Sequence, residues 1–141
     1  MEYQKFDTSY VIRLDKDEKV MEKLKEVCEK ENIKLGSISG FGSIDRVSLA
    51  IFHAPEKIYE KINTINPMQI VSLIGNVTTK EGKPYLHCHM SLCDNNNVMY
   101  GGHLDECRVS STAEFIIHAI DGVVERKFDR NTGLNLFEFV K

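Results

Sequence analysis

The sequence contains no run of about 18 apolar residues, so no stretch of it reads as a bilayer-spanning helix. Its start, MEYQKFDTSY, has neither the basic residues nor the apolar stretch of a secretory signal, and a cytoplasmic protein is expected. The four cysteines, Cys28, Cys88, Cys93 and Cys107, include no Cys-x-x-Cys pair, which excludes a zinc knuckle and a thioredoxin-type motif. In a reducing compartment they read as free thiols, with Cys28 and Cys88 in the core. Lys and Arg form no block. With 18 basic residues mixed among 21 acidic ones and a net charge of −3, the chain lacks the basic face that releases counterions from DNA. A dinucleotide fingerprint is missing too, because Asp45 stands where the last glycine of Gly-x-Gly-x-x-Gly would follow Gly40 and Gly42. Those glycines, with Gly36, instead suit a bend or a close backbone approach.

What is present is enough for one domain spanning residues 1–141, since 42% of the residues are hydrophobic. YVIRLD reads as a strand that gives way to a helix at Asp15, where Asp15 and Glu18 fit a capping box. Val20, Met21, Leu24, Val27 and Cys28 then recur at helical spacing and form one apolar stripe on a charged helix. A second short helix is expected near Pro55 to Ile62, and Asn66-Pro67 marks a turn before the alternating strand MQIVSLIGNVTT. STAEFIIHAI, GVVERKF and LNLFEFV complete about seven or eight strands with short links. This ratio predicts an α+β domain built on a mostly antiparallel sheet, with its helices packed on one side.

The segment YLHCHMSLC, Tyr85 to Cys93, alternates strictly. Leu86, Cys88, Met90 and Leu92 share one face, and His87, His89, Ser91 and Cys93 the other. DNNN supplies a turn, and VMYGGHL resumes the alternation with Met99 and His103 opposite Tyr100 and Leu104. A loop of Asn95 to Asn97 places His89 across from His103, while a loop of Asp94 to Asn96 places His87 there instead. Either brings three imidazoles to one face. A four-residue loop would put His103 opposite Cys88 and break the apolar pairing, so the core pattern selects the odd loop. Opposed Cβ atoms lie about 4.5–5.5 Å apart, close enough for ring nitrogens to meet on one ion. Three histidines without a fourth protein ligand describe a zinc site with an open position; nickel, iron and manganese also accept imidazole.

Two charged residues stand in apolar strands, Glu114 in STAEFIIHAI and Arg13 in YVIRLD. Near a metal-bound water they would serve as general base and as holder of a substrate carboxylate, against the plainer alternative of an ion pair or edge position. Asp105, Cys93 and Ser91 lie near the hairpin in sequence with weaker claims. His53 and His118 have no such companions and read as structural positions.

Taken together, GKPYLHCHMSLCDNNNVMYGGHL, IRLDKDEKVMEKLKEVCEKENI, SGFGSI and TAEFII resemble the plants-and-prokaryotes conserved (PPC) domain family, which also carries a DNA-binding label. His87, His89 and Gly101-Gly102-His103 match its prokaryotic pattern. The resemblance implies an α+β fold similar to acetolactate decarboxylase, a homotrimer, and zinc on the three histidines. Plant members add an AT-hook, which this chain lacks, so the DNA-binding description carries over poorly. Two functions follow from this. One is a metal-binding oligomer acting on a small molecule at an open three-histidine site; the other is a DNA-associated module whose metal is structural.

Overall fold

Period-two alternation extends through strands as long as 23 residues in this chain. The computed structural model describes residues 1–140, so Lys141, the last residue of the expected domain, lies outside it. One helix and eight strands follow in the order β1 (Glu2–Phe6), β2 (Ser9–Asp15), α1 (Val20–Lys30), β3 (Gly36–His53), β4 (Ile58–Lys80), β5 (Lys83–Asp94), β6 (Met99–Ala119), β7 (Glu125–Asp129) and β8 (Leu134–Glu138). β3 pairs antiparallel with β4 on one side and β6 on the other, and β5 bridges the free edges of β4 and β6. These four strands therefore close on themselves. β2 extends the sheet along the second half of β6, β1 follows at its edge, and the β7–β8 hairpin joins β4 through one parallel bridge, Thr79 to Glu125.

The fold is thus mainly β, and the expectation of several helices packed on one side is corrected to a single helix among the described residues. The segment expected as a second helix is a turn at residues 54–57 followed by the start of β4. Ile58, Tyr59, Ile62, Thr64 and Ile65 are β-branched or aromatic, and residues 58–65 pair with residues 46–53 of β3 instead of coiling. Lys57, at φ 57°, makes the reversal. Asn66-Pro67 is likewise no turn. It lies inside β4 where Ile65 pairs with Arg46 and Met68 with Ile44, so two residues oppose Asp45 alone. A bulge tolerates a proline that a regular ladder would reject.

Helix α1 lays Val20, Leu24, Val27 and Cys28 into the core, the stripe its spacing predicts. They meet Leu14, Ile44, Cys88, Leu92, Leu104, Phe115 and Ile117 from the sheet. Cys107 is buried as well, and burial pushes the thiols of Cys28 and Cys88 up to about 12, so they are inert packing groups. The expected capping box forms only in part: Glu18 accepts from the Asp15 backbone N–H at 2.8 Å, but the helix proper starts five residues after Asp15. Its first turn is instead capped from β6. The Glu106 carboxylate accepts from the backbone N–H groups of Met21 at 2.7 Å and Glu22 at 3.1 Å, a cap 84 residues away in sequence. Burial holds that carboxyl above its ordinary value, with the backbone N–H groups pulling the other way.

The β5–β6 hairpin has the first of the two registers weighed above. Leu92 pairs with Tyr100, Met90 with Gly102 and His89 with His103. Asp94 closes the loop: its backbone N–H donates to the Val98 carbonyl at 3.1 Å and its Oδ1 accepts from Asn96 and Val98. Asn97 takes φ 59°, a conformation asparagine tolerates. At Gly101 a Cβ would run into the Met90 carbonyl, so the strands approach here only because a glycine is present. No helix among the described residues is long and apolar enough to cross a membrane.

Replacing Glu106 by alanine strips the first turn of α1 of its acceptor. We expect a loss of about 1–2 kcal/mol in urea unfolding, with Glu106→Gln retaining part of it. An unchanged midpoint for Glu106→Ala would show that the contact does not cap the helix.

Candidate metal centre

Because Cys88, Met90 and Leu92 turn inward, His87 and His89 must point to the outer face of β5, and the hairpin register sets His103 beside them. The three ring centroids lie 5.1, 5.1 and 5.4 Å apart. One nitrogen from each ring falls within 4.8 Å of the others, and the Nε2 atoms of His87 and His89 stand 3.2 Å apart. Two nitrogens held ~2.0–2.1 Å from a tetrahedral ion are separated by roughly 3.3 Å, so this spacing fits a shared metal.

The electrostatics agree with the geometry. Burial lowers His87 to about 4, helped by the charges of His103, Arg126 and His89, and burial also lowers His103. Both rings are neutral at pH 7 and offer lone pairs, as metal ligation requires. Nδ1 of His103 is buried without a hydrogen-bond partner, although its residue is only half-buried. A buried polar atom left unsatisfied by the protein calls for an explanation, and a group bound at this cluster supplies one.

The histidines open onto a cavity of about 540 Å³. Ala50, Ile51 and Phe52 of β3 and Tyr59 of β4 form one wall, and Leu134, Asn135 and Leu136 of β8 another. Tyr59 stacks 5.2 Å from His103, and burial pushes its phenol up. Arg126 of β7 also lines this space, bonded to Thr78, Asn76 and Asn135. Reading the sequence did not find Arg126, Tyr59, Tyr85 or Asn135. Arg126 sits in an ordinary-looking strand, and its partners on β4 come from 48 and 50 residues earlier, so no local signal marks it.

The remaining candidates lie elsewhere. Arg13 and Glu114 are paired residues on β2 and β6 and line a different cavity of about 730 Å³, bounded also by Phe41, Val71 and Ile74. Both are exposed, since Ala113, Phe115 and Ile117 take the buried positions of β6. Arg13 contacts Glu2 at 3.3 Å and Asp15 at 3.0 Å. The Glu114 carboxylate, facing solvent, needs no compensating partner. Asp105 pairs with Lys61, Cys93 stays in the hairpin loop contacts, and Ser91 faces Gly101. His53 bonds Glu60 and His118 bonds Ser9, each as a surface pair away from the cluster.

Several known structures share this arrangement of strands. A plant- and prokaryote-conserved protein from Pyrococcus horikoshii is 31% identical, over 99% of this chain and 95% of that one, with a TM-score of 0.86. A metal-containing protein from Archaeoglobus fulgidus is 30% identical, over 98% and 96%, with a TM-score of 0.87. A Bacteroides thetaiotaomicron protein with a provisional DNA-binding label is 25% identical, over 98% and 96%, with a TM-score of 0.95. Acetolactate decarboxylase from Bacillus subtilis shares the fold alone. It is 16% identical, the match covers 82% of this chain and 54% of that one, and the TM-score is 0.53. No curated protein matches the chain. The profile of the Plants and Prokaryotes Conserved (PCC) domain matches residues 1–121, and the chain belongs to that family.

Proposed function

We propose that the protein is a cytoplasmic, homotrimeric metal protein in which His87, His89 and His103 hold a divalent transition ion, zinc in the first place, and present it to a small molecule. The observation that carries this reading is the convergence of three imidazole nitrogens within 4.8 Å on the wall of an accessible cavity. A structural zinc site is normally closed by four protein ligands, whereas three ligands beside a cavity leave a position for solvent or substrate. Zinc bound there would supply Lewis acidity toward an oxygen of the ligand. The chain's own residues orient that ligand and keep water from much of it: Phe52, Tyr59 and Leu134 wall the cavity, and each neutral imidazole has one ring nitrogen with a lone pair free for the ion. The Archaeoglobus relative is described as metal-containing, which supports the same reading.

The purified protein is expected to carry about one zinc per chain, as elemental analysis would read. His103→Ala should remove most of it, since losing one of three ligands costs several orders of magnitude in affinity. Wild-type protein that takes up no zinc, nickel, iron or manganese would end the proposal.

Self-association is supported by the outer face. Val11, Phe41, Val71, Ile74 and Ile116 are exposed together there, Phe41 to 57% and Ile74 to 67%, a contiguous apolar patch of the kind that marks an interaction surface. Ile74 pairs with His89, so this face borders the metal centre. Any role for Glu114 as general base or Arg13 as carboxylate holder requires a second copy to carry them to the histidines. Sedimentation should find trimers of the wild type, and a Phe41→Glu, Ile74→Glu double variant should sediment as a monomer. A monomeric wild type would remove the assembly.

A second reading, association with DNA, rests on the DNA-binding label of the Bacteroides relative. It predicts duplex binding that weakens steeply between low and physiological salt, because phosphate contacts release counterions. Absence of measurable binding at low salt would exclude it.

A further inference from the structure

The cavity beside the three histidines has a charge imbalance that the described residues do not correct. Arg126 is only 8% exposed, yet among the described residues its guanidinium meets no carboxylate. Nε donates to Thr78 Oγ1 at 2.8 Å, Nη2 to Asn76 Oδ1 at 2.9 Å and Nη1 to the Asn135 carbonyl at 2.8 Å, all neutral acceptors. The acids of its own hairpin are engaged elsewhere: Glu125 accepts from Thr79, Asp129 from Thr132, and Glu138 pairs with Lys127. No Asp or Glu lines the cavity. Burying a cation without an anion is costly, and a divalent ion on the histidines would add to the same positive field.

Two further details mark the same cavity as a binding site. Among the described residues, the buried side-chain nitrogen and oxygen atoms without a partner are His103 Nδ1 and Asn135 Oδ1, and both residues line this one cavity. The guanidinium also has its faces covered by Tyr85, at 5.0 Å, and Phe137, at 4.6 Å. Only its edge is free to bind. Three of its five N–H groups are committed, which leaves one on each Nη atom, the number a carboxylate accepts from a guanidinium.

We propose that the cavity binds a small organic hydroxycarboxylate, its anionic group held by the free N–H groups of Arg126, with Asn135 Oδ1 available to accept from a ligand hydroxyl and a neighbouring oxygen directed at the metal position of His87, His89 and His103. This inference rests on the metal reading above for the second contact only. The apolar walls, Ile51, Phe52, Leu134 and Leu136, suit a short hydrocarbon portion, and a single guanidinium with no second Lys or Arg in the lining suits a carboxylate better than a phosphate. Arg126 is here a specificity-determining residue. It lies beyond the span of the family profile, residues 1–121.

The test is calorimetric titration of the zinc-loaded protein with L-lactate, a 2-hydroxy carboxylate, and separately with inorganic phosphate. Saturable lactate binding is expected, weakened about tenfold or more in Arg126→Met and less in Arg126→Lys, with zinc content unchanged in both. Equal lactate affinity in wild type and Arg126→Met would make the arginine purely structural and overturn the proposal. Preference for phosphate, or no saturable binding of either anion, would overturn it too. Should Arg126→Met not fold, the Arg126 Nε resonance of the wild type decides: lactate must shift it, and an unmoved resonance counts against the site. Protein that holds no zinc refutes the metal reading alone, because the same resonance in the metal-free protein still reports whether Arg126 binds lactate.

Discussion

The three-histidine cluster depends on which side of the sheet Met90 and Leu92 occupy. Burying each of these side chains favours the native register by about 1.5–3 kcal/mol, and Cys88 and Leu104 add to the same preference. A slip of β5 by one residue would turn Cys88, Met90 and Leu92 to solvent and His87 and His89 inward, away from His103. Packing therefore sets the register, and the imidazoles are carried to a common point on the opposite face as a geometric consequence. The site needs no dedicated scaffold beyond the pleat, the short loop closed by Asp94, and a glycine at 101 that lets β6 approach the Met90 carbonyl.

Placement alone does not make a ligand set. Histidines on a fully solvated strand would titrate near neutrality and compete with a metal for protons. Here His87 and His103 are half-withdrawn from water beneath Tyr59 and the β7–β8 hairpin, and that burial lowers both, His87 to about 4, which favours the neutral rings. His89 is the more exposed member, reachable from outside. The same withdrawal that improves the histidines as ligands makes Arg126 expensive, since desolvation disfavours its charge as it disfavours theirs. One low-dielectric cavity thus prepares neutral donors for a cation and leaves a fixed cation in want of an anion.

How much of this was legible in the chain depends on the sequence distance over which each feature is determined. The alternation from Tyr85 to His103 is local, and it narrowed the pairing to two registers, both of which bring His87, His89 and His103 to one face; the fold takes the one that sets His89 opposite His103. The helix stripe from Val20 to Cys28 was local as well. The second helix failed because residues 58–65 have an ambiguous pattern on their own, and only the partner strand at 46–53 decides their state. Asn66-Pro67 looked like a turn for the same reason, as a bulge cannot be seen without its opposite strand. Glu114 and Arg13 drew attention because both faces of their strands read as apolar. The outer face is in fact apolar and exposed, which hydropathy alone cannot separate from a core. Arg126 and the Glu106 cap gave no signal, their partners being brought together by the closed sheet alone.

The two halves of the site are held by unequal means, and this bears on how it can change. The histidines belong to β5 and β6, each with partners on both sides in the closed ring of strands. Altering that framework disturbs the core. Arg126 and Asn135 belong to a hairpin joined to the sheet by a single parallel bridge and by side-chain bonds, those of Thr79 with Glu125, of Arg126 with Thr78 and Asn76, of Asn135 with Tyr85 and of Lys57 with Arg130. Apart from Arg126, its side chains contribute nothing to the buried core, so its exposed positions can change the cavity wall without disturbing the strands that carry the histidines. A closed sheet that fixes the histidine cluster and a peripheral hairpin that shapes what lies against it can vary separately, which allows one fold to keep the cluster while its surroundings change.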